Sequence, residues 1–417
     1  MSCIILPPPV ELKLDLLFEG LRYTEALGRA AEHSFPNFFP YHFAPGESGR
    51  PPSGRAPIPY MLVTEEGAHA RIRGNPRSSW WVSGSREAGY ELHRDGSGQV
   101  RSISFEPAQG WMKGVTSDGA PRGSAGLSFH ADMAVVNVAP GCEYFLAPKR
   151  DGGAMRCTFC TYGAPDARLE PLGQRMGVTA IPEATHRRLQ EVLADALAET
   201  EIRHIYLVGG SLTDPREEGI RFAELARRVQ EVNGHRVPVT CGSGALPEES
   251  LRVLREEELV ENVCFNLEIW SKPLFTRICP GKDRYVGYEA WIGSLEQAVR
   301  LWGRGHVYTA MVAGIEFGPE LGLTLDQALD VALRGAKDLC QRGIIPIYSL
   351  YWPPPGRDLR EHLEILRAFF ERLQLGYHEI RHAEGLEIWE GFMCHRCAFM
   401  QLECDLEHAL RSETSAA

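Results

Sequence analysis

The sequence predicts an α/β protein built around a partial barrel of six β/α units, with an N-terminal, mostly β appendage and a C-terminal cysteine-rich extension. From about Met133 onward, short β-branched runs alternate with longer segments of helical period, which is typical of repeated β/α units. Nearly continuous apolar strands joined by helices form a parallel sheet with helices on its outer face. Because a closed TIM barrel has eight such units, we predict a partial, TIM-like (β/α)6 barrel.

Two kinds of element build the predicted barrel. One helix is expected across Leu189–Leu197 behind Thr185 as its N-cap, and another between Thr324 and Gly343. Barrel enzymes carry their chemistry at the C-terminal ends of the strands, so functional residues are expected directly after each strand. The six predicted strands are Met133–Val138, His204–Val208, Val237–Cys241, Asn262–Glu268, His306–Ala313 and Ile344–Leu350.

Residues 1–130 follow a different pattern. Short alternating runs are separated by Gly, Ser, Pro and Asn, which predicts a mostly antiparallel β domain. These runs are Tyr60–Val63, His69–Ile72, Tyr90–His93 and Val100–Phe105. We therefore predict a β-rich accessory domain at 1–130, the partial barrel at 131–385 and a cysteine motif at 386–417.

Composition excludes several classes of protein. The 417 residues are 44% hydrophobic and 24% charged, as in an ordinary soluble globular protein. With 44 basic and 55 acidic residues the net charge is −11, so no basic field favours nucleic acid. No run of 18 apolar residues predicts a transmembrane helix, and the N-terminus lacks the basic and apolar regions of a signal peptide. We expect a cytoplasmic protein.

The chain has eleven cysteines, an odd number that favours metal ligation over a disulfide framework in a reducing compartment. Cys142, Cys157 and Cys160 follow the first barrel strand with the spacing C-x14-C-x2-C. Three thiolates can hold a [4Fe–4S] cluster and leave one iron open to a small molecule. A zinc site would need a fourth ligand, and none is obvious nearby. Buried structural cysteines fit poorly with the glycine-rich, charged loop around them.

This cysteine group resembles the cluster loop of the radical S-adenosylmethionine (radical SAM) enzymes. The likeness is carried by Cys157-Thr158-Phe159-Cys160, with an aromatic residue before the last cysteine, although the usual first gap is three residues rather than fourteen. Gly209-Gly210-Ser211 after the second strand is similar to the Gly-Gly-Glu segment of that family, whose backbone receives the methionine amine of SAM. A glycine pair alone would predict only a tight turn.

Two further segments resemble the biotin synthase-like branch. Phe265–Glu268 is similar to a segment whose acid contacts the SAM ribose, and Ile345–Gly356 to one whose main chain lines the adenine pocket. The family also implies a cation for the SAM carboxylate, for which Lys282 and Arg284 are the candidates. Cys241 lies one position away from the place of a second-cluster ligand in that branch. The resemblance implies cofactor contacts from Phe159, Gly209, Gly210, Ser211, Glu268, Arg284 and Tyr348.

A second cysteine group lies near the C-terminus, at Cys394, Cys397 and Cys404. Three interpretations are open: an auxiliary [4Fe–4S] cluster on these three residues, a zinc site completed by His408, or no metal. Spacing alone does not choose between them.

The resemblance implies an enzyme that cleaves SAM reductively and starts radical chemistry by taking hydrogen from a specialised small molecule. A flavodoxin or ferredoxin is the expected electron donor, and transferase, lyase and oxidoreductase activities are not distinguished. Two alternatives stay open: a non-enzymatic zinc-binding structural or interaction protein, and SAM-dependent group transfer without a 5′-deoxyadenosyl radical.

Overall fold

The computed structural model describes residues 6–34, 57–139, 141–149, 152–160, 180–318, 321–351, 360–389 and 400–416. The chain folds as two compact units. The first, here called the N-terminal unit, consists of Met1–Gln109, Leu350–Leu375 and Met393–Ala417. The second, the barrel unit, consists of Gly110–Ser349 and Gly376–Phe392.

The N-terminal unit contains a five-stranded antiparallel sheet with two helices before it in the chain. Its core includes Leu16, Leu27, Leu62, Trp80 and Leu92. Four of the strands fall on the runs expected from the sequence; the strand that starts at Trp80 was not expected. In chain order the elements are α1 (Pro8–Glu19), α2 (Glu25–His33), β1 (Met61–Thr64), β2 (His69–Arg71), β3 (Trp80–Ser85), β4 (Gly89–Arg94) and β5 (Val100–Phe105), and the strand order is β2-β1-β5-β4-β3.

The barrel unit contains a curled seven-stranded sheet that forms a half-barrel. Its strands are β6 (Leu127–His130), β7 (Met133–Val136), β8 (His204–Val208), β9 (Val239–Ser243), β10 (Asn262–Phe265), β11 (Val307–Ala313) and β12 (Ile344–Leu350), lying side by side in the order β12 to β6. Strands β7 to β11 pair in parallel, whereas β6 is antiparallel to β7. All six expected barrel strands are present, and β6 is an addition at the edge.

Helices connect these strands and differ in detail from the expectation. The N-cap at Thr185 was wrong, because the helix already begins at Glu183 behind Pro182. The cap at Thr324 is confirmed, since its side chain and that of Gln327 form a capping box. Strand β9 starts after Pro238, which has no N–H to donate to a sheet. The helices are α3 (Glu183–Glu199), α4 (Pro215–Asn233), α5 (Glu248–Glu256), α6 (Lys272–Ile278), α7 (Pro280–Tyr285), α8 (Tyr288–Trp302) and α9 (Leu325–Gln341).

Two helices follow the last strand, α10 (Arg360–Ala383) and α11 (Glu403–Ala416). Helix α11 belongs to the N-terminal unit, where Lys13 Nζ of α1 lies 2.6 Å from Asp405 Oδ2 with both side chains almost fully buried. Helices α1 and α11 therefore meet in this unit. Among the described residues, no helix combines the length and apolar character needed to cross a membrane.

The buried Lys13–Asp405 pair gives a first prediction. Lys13→Met leaves the Asp405 carboxylate buried without its ammonium partner, so we expect a loss of about 3–5 kcal/mol in unfolding free energy, measured by urea denaturation. Lys13→Met combined with Asp405→Leu should recover much of that loss. As the control, Arg29→Ala removes an exposed ion pair with Glu25 and should change stability by less than about 1 kcal/mol. Equal effects of Lys13→Met and Arg29→Ala would contradict the buried pair.

Candidate active site

The loop after β7 and the loop after β8 touch at the C-terminal ends of these neighbouring strands. Gly210 N–H donates to Ala139 O at 2.9 Å, and Glu143 N–H donates to Ser211 O at 2.9 Å. A Cβ placed on Gly210 would lie 1.8 Å from Gly141 O, which is far inside van der Waals contact. The glycine at 210 is therefore required by the close approach of the Cys142 loop.

The Cys142 sulfur lies against backbone donors. It accepts hydrogen bonds from the N–H groups of Tyr144 and Ser211. Burial raises the pKa of Cys142 to about 11, while these two donors act in the opposite direction by stabilising a thiolate. A sulfur that carries metal charge would be stabilised by the same two donors.

The fourteen-residue gap between the first two cysteines is a closed loop. The chain turns back on itself, with Lys149 N–H donating to Gly153 O at 2.6 Å and Met155 N–H donating to Ala147 O at 2.9 Å. This returns Cys157 to the neighbourhood of Cys142, close enough for the two sulfurs to interact electrostatically. Cys157 is buried, and Phe159 and Cys160 are half-buried at the end of this described segment. The structure thus brings Cys142 and Cys157 together despite the long gap.

A buried ion pair lies beside Cys157. Lys282 Nζ of α7 is 2.6 Å from Glu268 Oε1, with side chains only 8% and 10% exposed, and Nζ also donates to Asn266 O. The same ammonium lies 4.6 Å from the centre of the Trp291 ring. Burial alone would lower the pKa of Lys282, but the Glu268 carboxylate and the nearby sulfurs raise it, so Lys282 stays protonated.

Glu268 reaches this position with a strained backbone. Its φ is 72°, in the left-handed region that a residue with a side chain rarely adopts. Two hydrogen bonds to β11 hold it there, from Glu268 N–H to Ala310 O at 2.9 Å and from Val312 N–H to Glu268 O at 2.7 Å. Non-glycine residues in such conformations cluster at functional sites. Glu268, the acid expected after the fourth barrel strand, therefore lies in the same group of buried side chains as Lys282 and Cys157.

Two acidic side chains, the half-buried Glu143 and the buried Glu218, hold the loop after β8, and sequence reasoning missed their role. Glu143 Oε2 accepts from Thr213 N–H at 2.6 Å and from its hydroxyl at 2.7 Å. Glu218 accepts from Leu212 N–H at 2.8 Å and Gly244 N–H at 2.6 Å, so it joins the loops after β8 and β9. An acid in the first turn of α4 was the available signal, but that position also suits an ordinary helix terminus.

Another buried carboxyl, that of Glu316, lies after β11. Burial raises the pKa of Glu316 to about 7, against the Gly314 N–H that donates to its Oε2 at 2.8 Å. Glu316 lies in the short helical turn Ile315–Phe317 that follows β11.

Other predicted site residues lie elsewhere. Arg284 is exposed on α7, whereas Lys282, two residues earlier, is buried beside Glu268. The Tyr348 hydroxyl donates to Ala332 O of α9 at 3.1 Å, so this hydroxyl is already used within the fold. Cys404 lies in the first turn of α11 in the N-terminal unit. Cys394 and Cys397 fall outside the described residues.

The barrel cysteines differ in the faces they occupy. In the parallel register Cys241 pairs with Leu207 and Val263, which are fully buried, and so shares their face of the sheet. Cys264 pairs with Gly242 on the opposite face, where its thiol is hydrogen-bonded to Tyr206. Burial raises the pKa of both thiols to about 12. They are protonated side chains on different faces of the sheet.

The chain is similar in sequence to a known enzyme. The chain is 21% identical over 323 residues to the bacteriochlorophyllide c C-7(1)-hydroxylase of Chlorobaculum limnaeum. The aligned region covers 74% of each protein. This match supports the resemblance to the radical SAM enzymes that the cysteine and glycine motifs carry. No family model matches the chain. The place of the chain in the biotin synthase-like branch and the roles of its individual residues stay predictions.

The Gly210 contact gives a second prediction. Gly210→Ala forces the Gly141–Cys142 backbone away, and we expect a loss of about 1–3 kcal/mol in unfolding free energy by urea denaturation. Gly293→Ala is the matched control, since a Cβ on that helical glycine of α8 meets no atom within 4 Å. It should be neutral or stabilising by up to about 1 kcal/mol. Wild-type stability of Gly210→Ala would disprove the close approach.

Proposed function

We propose that this chain is a radical SAM enzyme that holds a [4Fe–4S] cluster on Cys142, Cys157 and Cys160. The observation that carries the proposal is the meeting of Cys142 and Cys157 with the Gly209–Ser211 loop and the Glu268–Lys282 pair at the strand ends of a half-barrel. Soft sulfur ligands with backbone N–H donors suit an iron–sulfur cluster. With SAM bound, such a cluster supplies a 5′-deoxyadenosyl radical able to take hydrogen from a substrate.

The residues of the site divide the binding of SAM between them. The main chain of Gly209–Ser211 would receive the methionine amine, and the Glu268 carboxylate the ribose hydroxyls. For the SAM carboxylate we propose Lys282 in place of Arg284, because Lys282 is the buried cation beside Cys157 and Arg284 is exposed. The ring of Phe159 and the main chain at Tyr348 would line the rest of the cofactor pocket.

We propose a small molecule as the substrate and oxidation as the overall reaction. The relative from Chlorobaculum limnaeum is a hydroxylase of a bacteriochlorophyllide, and the match extends over most of both chains. An oxidoreductase is therefore favoured over a transferase or a lyase. A flavodoxin or ferredoxin would supply the electron. Assay of 5′-deoxyadenosine after anaerobic reconstitution and dithionite reduction with SAM tests the radical step.

For the C-terminal cysteines we propose two alternative metal centres. Cys394, Cys397 and Cys404 would hold an auxiliary cluster, or with His408 a zinc ion. The iron and zinc content of the purified chain distinguishes them: a second cluster's worth of iron supports the former, and one equivalent of zinc the latter.

The proposed cluster ligands give a third prediction. We expect the triple change of Cys142, Cys157 and Cys160 to Ala to remove about four iron atoms and all SAM cleavage, because these thiolates are the proposed ligands. The control variant Cys340→Ala changes a buried cysteine of α9, and it should keep the full iron content and the SAM cleavage activity. Iron is measured by colorimetric analysis and cleavage by 5′-deoxyadenosine. Full iron content in the triple variant would refute the assignment.

The Glu268 carboxylate gives a fourth prediction. Glu268→Gln should weaken SAM binding to the cluster-loaded protein by on the order of 2–4 kcal/mol, because charge-assisted hydrogen bonds to ribose are lost, and should leave the iron content unchanged. The control is Glu289→Gln, which removes an exposed carboxylate at the start of α8 and should not alter affinity. Equilibrium binding of SAM is the measurement. Equal affinity in both variants would exclude the ribose role.

A further inference from the structure

Cys279 is a fully buried cysteine that the proposed cluster site does not use as a ligand. It lies at the junction of α6 and α7, where it caps the first helix and precedes Pro280 of the second. Its N–H donates to Phe275 O at 2.8 Å. The backbone of Cys279 is therefore held by α6 before it and by α7 after it.

The Cys157 segment is clamped against this junction. Thr158 N–H donates to Ile278 O at 2.9 Å, and Gly281 N–H donates to Met155 O at 2.8 Å. These two bonds flank Cys157 on one segment and Cys279 on the other. A Cβ on Gly281 would lie 2.6 Å from Met155 O, so the two segments cannot be separated by a side chain there.

Within the clamp the two thiols are hydrogen-bonded to each other. A cysteine binds metal as the thiolate, which has no proton, so in the proposed site only the Cys279 thiol can be the donor. Cys157 is therefore the acceptor sulfur of the pair.

We propose that Cys279 is a positioning residue whose S–H group donates to the sulfur of Cys157, orienting this cluster ligand and raising the reduction potential of the cluster. The proposal rests on the proposed function, in which Cys157 is a ligand. Hydrogen bonds to cluster sulfurs stabilise the reduced, more negative state, so removing one lowers the potential. The clamp keeps the donor in place without making it a ligand.

The test compares Cys279→Ala with Cys279→Ser in full-length, anaerobically reconstituted protein. Cys279→Ala removes the donor, and we expect full iron content with a more negative midpoint potential in a redox titration followed by electron paramagnetic resonance. Cys279→Ser keeps a donor and should lie closer to the wild type, which also covers the case in which the alanine variant fails to fold. Cys340→Ala is the matched buried-cysteine control and should leave the potential unchanged.

The outcomes separate this proposal from the proposed function. Iron in the wild type with the same potential in wild type, Cys279→Ala and Cys279→Ser refutes the positioning role and leaves the cluster intact. Loss of iron in both Cys279 variants makes Cys279 a ligand, which also refutes it. A wild type that binds no iron refutes the proposed function, and the positioning role with it.

Discussion

The buried ion pair between Glu268 and Lys282 is the interaction on which the organisation of the site depends. It joins the segment after β10 to α7, and α7 in turn is hydrogen-bonded to the chain around Cys157. Two charges this deeply buried are costly to desolvate, and removing one partner would leave the other uncompensated. The Glu268–Lys282 pair keeps one negative and one positive charge buried beside the thiols of Cys157 and Cys279. A charged ligand or a metal centre that binds there can interact with either charge. The strained backbone of Glu268 adds to that energetic cost, and in this conformation the carboxylate contacts Lys282.

Much of the barrel could be predicted because its signals are local. Apolar runs bounded by glycine and proline locate the strands to within two or three residues, and parallel order then makes neighbours of the loops after consecutive strands. Gly210 meets Cys142 for this reason, since β7 and β8 are adjacent. Thr185 was wrong as a cap because the helix begins two residues before it, at Glu183 behind Pro182.

The remainder of the site depends on contacts that sequence spacing does not contain. Lys282 and Arg284 are two residues apart on a six-residue helix, so they point in directions about 200° apart, and a helix this short has no periodicity from which to choose. Cys279 is a lone cysteine in the sequence and meets Cys157 only through pairing of segments more than a hundred residues apart. Glu218 likewise has the pattern of any acid at a helix start until the loops after β8 and β9 are seen to converge on its carboxylate.

The fourteen-residue gap between Cys142 and Cys157 is compatible with the short gap usual in radical SAM enzymes because of how the intervening chain folds. What a three-cysteine site requires is closeness of the sulfurs, not closeness in sequence. The intervening chain begins with a helical turn at Glu143–Phe145, doubles back through the Lys149–Gly153 bond and closes at Ala147 and Met155. An insertion whose ends meet leaves its flanking residues where a shorter loop would leave them, and doubling the length of such a loop costs only about 0.6 kcal/mol in closure entropy. The clamp between Met155 and Gly281 then determines where Cys157 comes to lie, so the position of the second cysteine is set by α7 rather than by the length of the loop before it.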